Sequence, residues 1–138
     1  MKWRNALIIV AVILLMVPVV FSQNSSVKQV PIKNVPAADG QQMYAAYCAS
    51  CHGADGRGGP AALSLRRAPA DLTQLSRQNQ GRYPSLRVQQ TILASTHSSE
   101  MPQWRGLFYS LCPGNRMAEA ETMARGVNLA RYVETLQR

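Results

Sequence analysis

Cys48, Ala49, Ser50, Cys51 and His52 bring two thiols and an imidazole together within five residues. That spacing suits three kinds of chemistry. Two cysteines on one turn of chain can meet the two vinyl groups of a haem as thioethers, with the adjacent imidazole reaching the iron. A zinc site needs a fourth ligand, and the spare candidates Cys112 and His97 stand alone, without the second paired spacing of structural zinc motifs. A redox dithiol follows a strand in a βαβ pattern, and no such pattern precedes Cys48. Covalent haem attachment is therefore the expected chemistry, and because the five-residue motif occurs once, one haem is expected.

An iron bound on one side by His52 leaves a second axial position. Met101 and His97 are the two candidates. Met43, Met117 and Met123 fall in helical stretches, where a thioether is ordinary core filler. Met101 stands in a loop before Pro102, which lacks a backbone donor and fixes the chain direction. His97 would give bis-histidine ligation and a lower potential, against its simpler reading as an exposed loop histidine. A thioether ligand implies a carrier of moderately high potential, whereas an open iron implies sensing or catalysis. Tyr83, Trp104 and Tyr109 can each donate to a buried propionate or simply line the pocket. Cys112 is left over as an odd thiol, either buried and inert or free to link two chains.

Helices are the elements that must hold these groups. Asp39 can cap a helix start, with Gln42 in the reciprocal position of a capping box. Met43 and Tyr47, like Tyr44 and Cys48, are four residues apart on that helix, so its last turn delivers Cys48. Gly53, Gly56, Gly58, Gly59 and Pro60 then make a loop. A second helix is expected from Ser85, as a possible cap after Pro84, to about Ser95, with Leu86, Gln89, Gln90 and Leu93 at helical spacing. His97 to Gln103 reads as turn-like, and Pro113-Gly114-Asn115 as a further turn. In the final helix Leu129, Tyr132, Val133 and Leu136 form an apolar stripe. No stretch alternates as a strand does, so the domain is expected to be all-α.

From about Ala38 to the end, the chain resembles class I c-type cytochromes. Beyond the five-residue motif, Gly40 and Tyr44 stand eight and four residues before Cys48, like the small and aromatic residues of that family's first helix. Leu129 and Tyr132 look like the pair on its last helix that packs across the first. Such a crossing needs a residue without a side chain at the point of closest approach. Met101-Pro102-Gln103-Trp104 is similar to the family's distal Met-Pro segment. The resemblance also implies that Pro60 stands where a loop proline offers its carbonyl to the proximal imidazole N–H. It implies a cytochrome c-like fold of a few helices around one covalently bound haem c. With so modest a protein core, the haem-free chain is expected to be largely unfolded.

The rest of the chain gives an address. The sixteen residues Ala6–Phe21 are all apolar and follow Lys2 and Arg4. As a helix this run reaches about 24 Å, short of a ~30 Å hydrocarbon core, and reads as an export signal. Residues 1–22 are thus a signal peptide or an uncleaved membrane anchor, 23–36 a flexible linker and 37–138 the cytochrome domain. The exported domain belongs in the periplasm or on the outer face of the cytoplasmic membrane. That address excludes nucleic acid as the reason for a net charge of +8. Arg57, Arg66, Arg67, Arg77, Arg82, Arg87 and Arg105 instead suggest redox protein partners with acidic docking surfaces. A non-enzymatic one-electron carrier between respiratory or dehydrogenase partners is the expected function. The alternatives are a haem subunit held in a larger membrane or dehydrogenase complex, and an open-iron sensor or peroxidase-like enzyme.

Overall fold

The computed structural model describes residues 32–94, 101–114 and 116–138, and among them there are helices and turns but no strand. The all-α expectation holds. In chain order the helices are α1 (Gly40–Tyr47), α2 (Ala49–His52), α3 (Leu75–Gln78), α4 (Ser85–Leu93), α5 (Trp104–Ser110) and α6 (Ala118–Thr135). Two 3-10 turns, Pro60–Ser64 and Leu72–Gln74, interrupt the long connection between α2 and α3.

Helix α1 starts where Asp39 accepts a hydrogen bond from the Gln42 N–H at 2.8 Å. The reciprocal half of the box is absent, because the Asp39 N–H already donates to the Pro36 carbonyl at 3.1 Å. The helix ends one residue before the first cysteine. Cys48 is its C-cap and donates to the Tyr44 carbonyl, so the thiol sits at the joint between α1 and α2 rather than inside a turn.

The long final helix α6 packs against α1, α4 and α5. At the crossing with α1, a Cβ added to Gly40 would collide with the Asn128 carbonyl and press on the Tyr132 Cβ. Tyr44 and Tyr132 lie across this crossing with ring centroids 5.1 Å apart, and Leu129 is fully buried beside them. The close crossing expected from Gly40, Tyr44, Leu129 and Tyr132 is therefore present. A second close approach, not anticipated, sets Gly126 of α6 against the Leu93 side chain of α4.

Three sequence expectations change. Helix α4 is capped by Pro84, and Ser85 is its first residue with no side-chain cap. Its buried face carries Ile92 and Leu93, while Leu86 is 64% exposed. Helix α5 was not anticipated, although Trp104, Leu107, Phe108 and Leu111 follow the i, i+3, i+4, i+7 spacing of an amphipathic helix. Its Trp104 and Phe108 stack at 5.6 Å and both pack on Tyr47.

The third change concerns the linker, which ends earlier than residue 36. Ile32 onward belongs to the folded unit, and Val35 is buried. The Tyr47 hydroxyl donates to the Lys33 carbonyl at 2.7 Å and accepts from the Val35 N–H at 3.2 Å. Asn128 donates to the Ala37 carbonyl at 2.8 Å. Arg125, 1% exposed, donates to the Val35 carbonyl at 2.6 Å and to Asn34 Oδ1 at 3.2 Å, and pairs with Glu121 at 2.8 Å. A short extended strap carries backbone groups that need partners, and these side chains provide them. Lys33, Asn34 and Pro36 gave the segment the composition of a tether. The signal or anchor segment, residues 23–31 and His97 lie outside the described residues.

Candidate functional site

The chain from Cys48 to Gly59 is a helical turn with a loop folded back over its end. The His52 N–H donates to the Cys48 carbonyl at 2.9 Å and the Gly53 N–H to that of Ala49 at 2.8 Å. Gly53 then turns the chain with φ +79°, and a Cβ there would also meet the Gly58 carbonyl carbon. The loop returns so that Gly58 donates to the His52 carbonyl at 2.7 Å and Gly59 to the Cys51 carbonyl at 2.9 Å. Orphan carbonyls at a helix end need such donors, and here they come from the glycine-rich loop. That loop, read from sequence only as irregular, is a fixed clasp on the two-thiol turn.

Cys48, Cys51, His52 and Met101 all face one cavity of about 830 Å³. Its size lies towards the upper end of the ~300–1,000 Å³ typical of ligand and cofactor pockets. Tyr44 and Tyr47 of α1 and Leu129 and Val133 of α6 close one side. The rest of the wall comes from the α2–α4 region, with Leu65, Pro69, Leu72, Leu75, Val88 and Ile92 as its apolar lining. Arg67 and Arg87 lie on the same wall, and Arg87 donates to Asn79 Oδ1 at 2.8 Å. Met101 is half-buried and packs on the core. The Pro102 carbonyl accepts from the Trp104 N–H at 3.0 Å, which ties the Met-Pro segment to the first turn of α5. Two thiols, an imidazole and a thioether around an apolar chamber are the donor set and surroundings that a haem c requires, so the residues present fit that group.

Electrostatics agree with this chemistry. Burial pushes the His52 imidazole below its ordinary value, against a smaller opposing effect of the Ala70 carbonyl. The ring is therefore neutral at neutral pH, the form that binds a metal. Burial, with Cys51 alongside, pushes the Cys48 thiol up to about 12. Among the described residues no group of three His, Cys, Asp or Glu side chains is disposed to hold a metal ion by itself.

The remaining sequence candidates divide. Trp104 lines the cavity and is 8% exposed. Tyr83 is not among the lining residues; its hydroxyl donates to the Ala130 carbonyl of α6 at 2.6 Å. A phenol in an apolar interface needs an acceptor, and the helix backbone supplies it. Tyr109 is 53% exposed. Pro60 begins the first 3-10 turn, is exposed and does not line the cavity. The carbonyl that faces His52 Nδ1, at 3.3 Å, is that of Ala70. Pro60, implied for this place by the resemblance, is therefore replaced by Ala70, which follows a different proline, Pro69. Cys112 is 8% exposed with its thiol against the Glu121 carboxylate, which raises it. Leu65, Pro69, Leu72 and Leu75 of the apolar wall were missed because they lie on irregular chain, a 3-10 turn and a four-residue helix, too short for a periodic signal; Val88 and Ile92 lie on the expected α4 but on a face other than the one read from Leu86.

No curated protein and no solved structure matches the chain. Residues 35–109, just over half of its length, match the family described as "Cytochrome C oxidase, cbb3-type, subunit III". The matched span begins at the buried strap residue Val35 and runs through the two-thiol turn, the cavity wall and Met101 into α5. The chain belongs to this family: it is a c-type cytochrome, an all-helical haem-binding protein of electron transfer.

Proposed function

We propose that this protein is an exported one-electron carrier with one haem c, attached through Cys48 and Cys51 and ligated by His52 and Met101. The observation that carries the reading is the convergence of all four side chains on one apolar cavity. Haem c, when bound, supplies a reversible one-electron couple. The protein's part is to hold that couple. His52 is kept neutral by burial and its ring is oriented by the Ala70 carbonyl. Met101 is steered by Pro102, and the apolar walls exclude water, which favours the less charged state of the couple.

The acidic-partner expectation belongs to this reading. Residues 60–94 carry Arg66, Arg67, Arg77, Arg82 and Arg87 against a single acid, Asp71. They include the cavity wall, so charge gathers on the side where a partner would approach. A second reading is favoured by the family description, which names a subunit of an oxidase. On that reading the domain stays bound in a larger membrane complex and passes electrons within it. Solubilised membranes separate the two: release of the intact cytochrome by salt supports a carrier, and co-purification with a larger assembly supports a subunit.

The ligand assignment is tested by the ferric spectrum. A charge-transfer band near the red end, lost in Met101→Ala, is the expected result. The same band in that variant would contradict Met101. Immediate stoichiometric carbon monoxide binding by the reduced wild type would replace the carrier by an open-iron sensor or enzyme.

A further inference from the structure

We propose that the Tyr44 hydroxyl positions His52 for its role as axial ligand, by fixing the backbone turn that follows it. The inference rests on His52 being the iron ligand. Tyr44 is 1% exposed, and its hydroxyl donates to the Gly53 carbonyl at 2.7 Å. Gly53 immediately follows His52 and carries the left-handed φ that lets the loop fold back. The same loop returns the Gly58 N–H to the His52 carbonyl at 2.7 Å, while the His52 ring meets the Ala70 carbonyl. Besides its helical N–H bond to Cys48, His52 is thus held at three points: its own carbonyl, its ring nitrogen, and, through Tyr44, the carbonyl of the residue that follows it.

The third point differs in kind from the other two. Gly58 and Ala70 belong to the irregular chain between α2 and α3, whereas Tyr44, though it too lines the cavity, belongs to the α1–α6 crossing and packs on Tyr132. Its hydroxyl therefore references the ligand to the part of the molecule that the protein packs by itself. Burial, with Cys48, Tyr132 and Asp55 nearby, pushes the phenol well above its ordinary value, so it remains a donor throughout the working pH range. A phenylalanine would fill the same space in the crossing, so only the positioning role requires the oxygen.

Tyr44→Phe in the full-length haem-loaded protein tests this. Removing the hydroxyl loosens the turn, weakens the Ala70 contact with the His52 ring, and so reduces imidazole donation to the ferric iron. Two results are expected: a midpoint potential above that of the wild type, and amide exchange at Gly58 about tenfold faster, the effect of one lost buried hydrogen bond. A potential that is unchanged or lower, or wild-type exchange at Gly58, overturns the proposal even if Tm falls. Should Tyr44→Phe not assemble, Tyr132→Leu decides, since it removes the ring contact and keeps the hydroxyl. A lowered Tm with wild-type potential supports positioning by the hydroxyl, and a displaced potential overturns it. The ferric spectrum of His52→Ala beside that of the wild type tests His52 ligation separately.

Discussion

The two sides of the cavity are built on different principles. On one side α1 crosses α6 with Gly40 against the Asn128 carbonyl, Tyr44 on Tyr132, and Leu129 buried between helices. These contacts are protein on protein, although Tyr44 and Leu129 also border the cavity. In the rest of the lining, residues 60–94 form two 3-10 turns and two helices, from which Leu65, Pro69, Leu72, Leu75, Val88 and Ile92 face the chamber that the haem fits. The crossing is packed through by protein, whereas Leu65, Pro69, Leu72 and Leu75 are only partly buried and leave room for an apolar partner in the chamber; Ile92 and Leu93 of α4 already belong to the protein core. The first side therefore supplies packing that needs no cofactor, whereas the second needs the haem to complete its core and with it the fold.

The largest expected effect removes the partner of the wall. A haem-free Cys48→Ser, Cys51→Ser protein should be largely unfolded, because a domain of this size has a modest core and loses the apolar surface that the porphyrin would cover. Native-like circular dichroism with cooperative melting would break the comparison. Next comes the crossing itself. Gly40→Val must force α1 and α6 apart and should cost about 3 kcal/mol or more, read by denaturant titration of the holoprotein. A cost below about 1 kcal/mol would mean that the crossing is not the tight element.

Much of the crossing was legible in the sequence, and little of the wall. Gly40, Tyr44, Leu129 and Tyr132 lie on helices, where a period of 3.6 turns position into geometry. The Cys48–His52 turn was legible for a different reason: chemistry demands those residue types at that spacing. The wall before α4 follows neither rule. Ala70 presents a carbonyl rather than a side chain to His52, so nothing in its residue type marks it, whereas the family resemblance points to Pro60. The strap failed similarly. Lys33, Asn34 and Pro36 have the composition of a tether, yet Arg125, some 90 residues away, folds it onto the domain.

The smaller effects sharpen the same contrast. Glu121 is held below its ordinary 4.5 by the Cys112 thiol and by Arg125. A lowered folded value means that its contribution is present above pH 4.5 and is lost as pH falls through the folded value. Thermal melts should therefore show Tm falling below about pH 4.5, and Glu121→Gln should flatten that dependence. An identical acid profile in the variant would remove Glu121 from the account. On the wall, Arg82→Gln should slow reduction by an acidic redox partner at low salt by about two- to threefold, with the difference vanishing at high salt. Rates independent of ionic strength would sever the charge of the wall from docking.

The central claim is that Cys48 and Cys51 secure one haem in the shared cavity. Mass spectrometry of the denatured full-length protein, with its haemochrome spectrum, tests this most directly. The account predicts one haem retained per chain after denaturation and extraction, and none in Cys48→Ser, Cys51→Ser. A wild-type chain, made with the cell's haem-attachment machinery, that releases all its haem on extraction would contradict it.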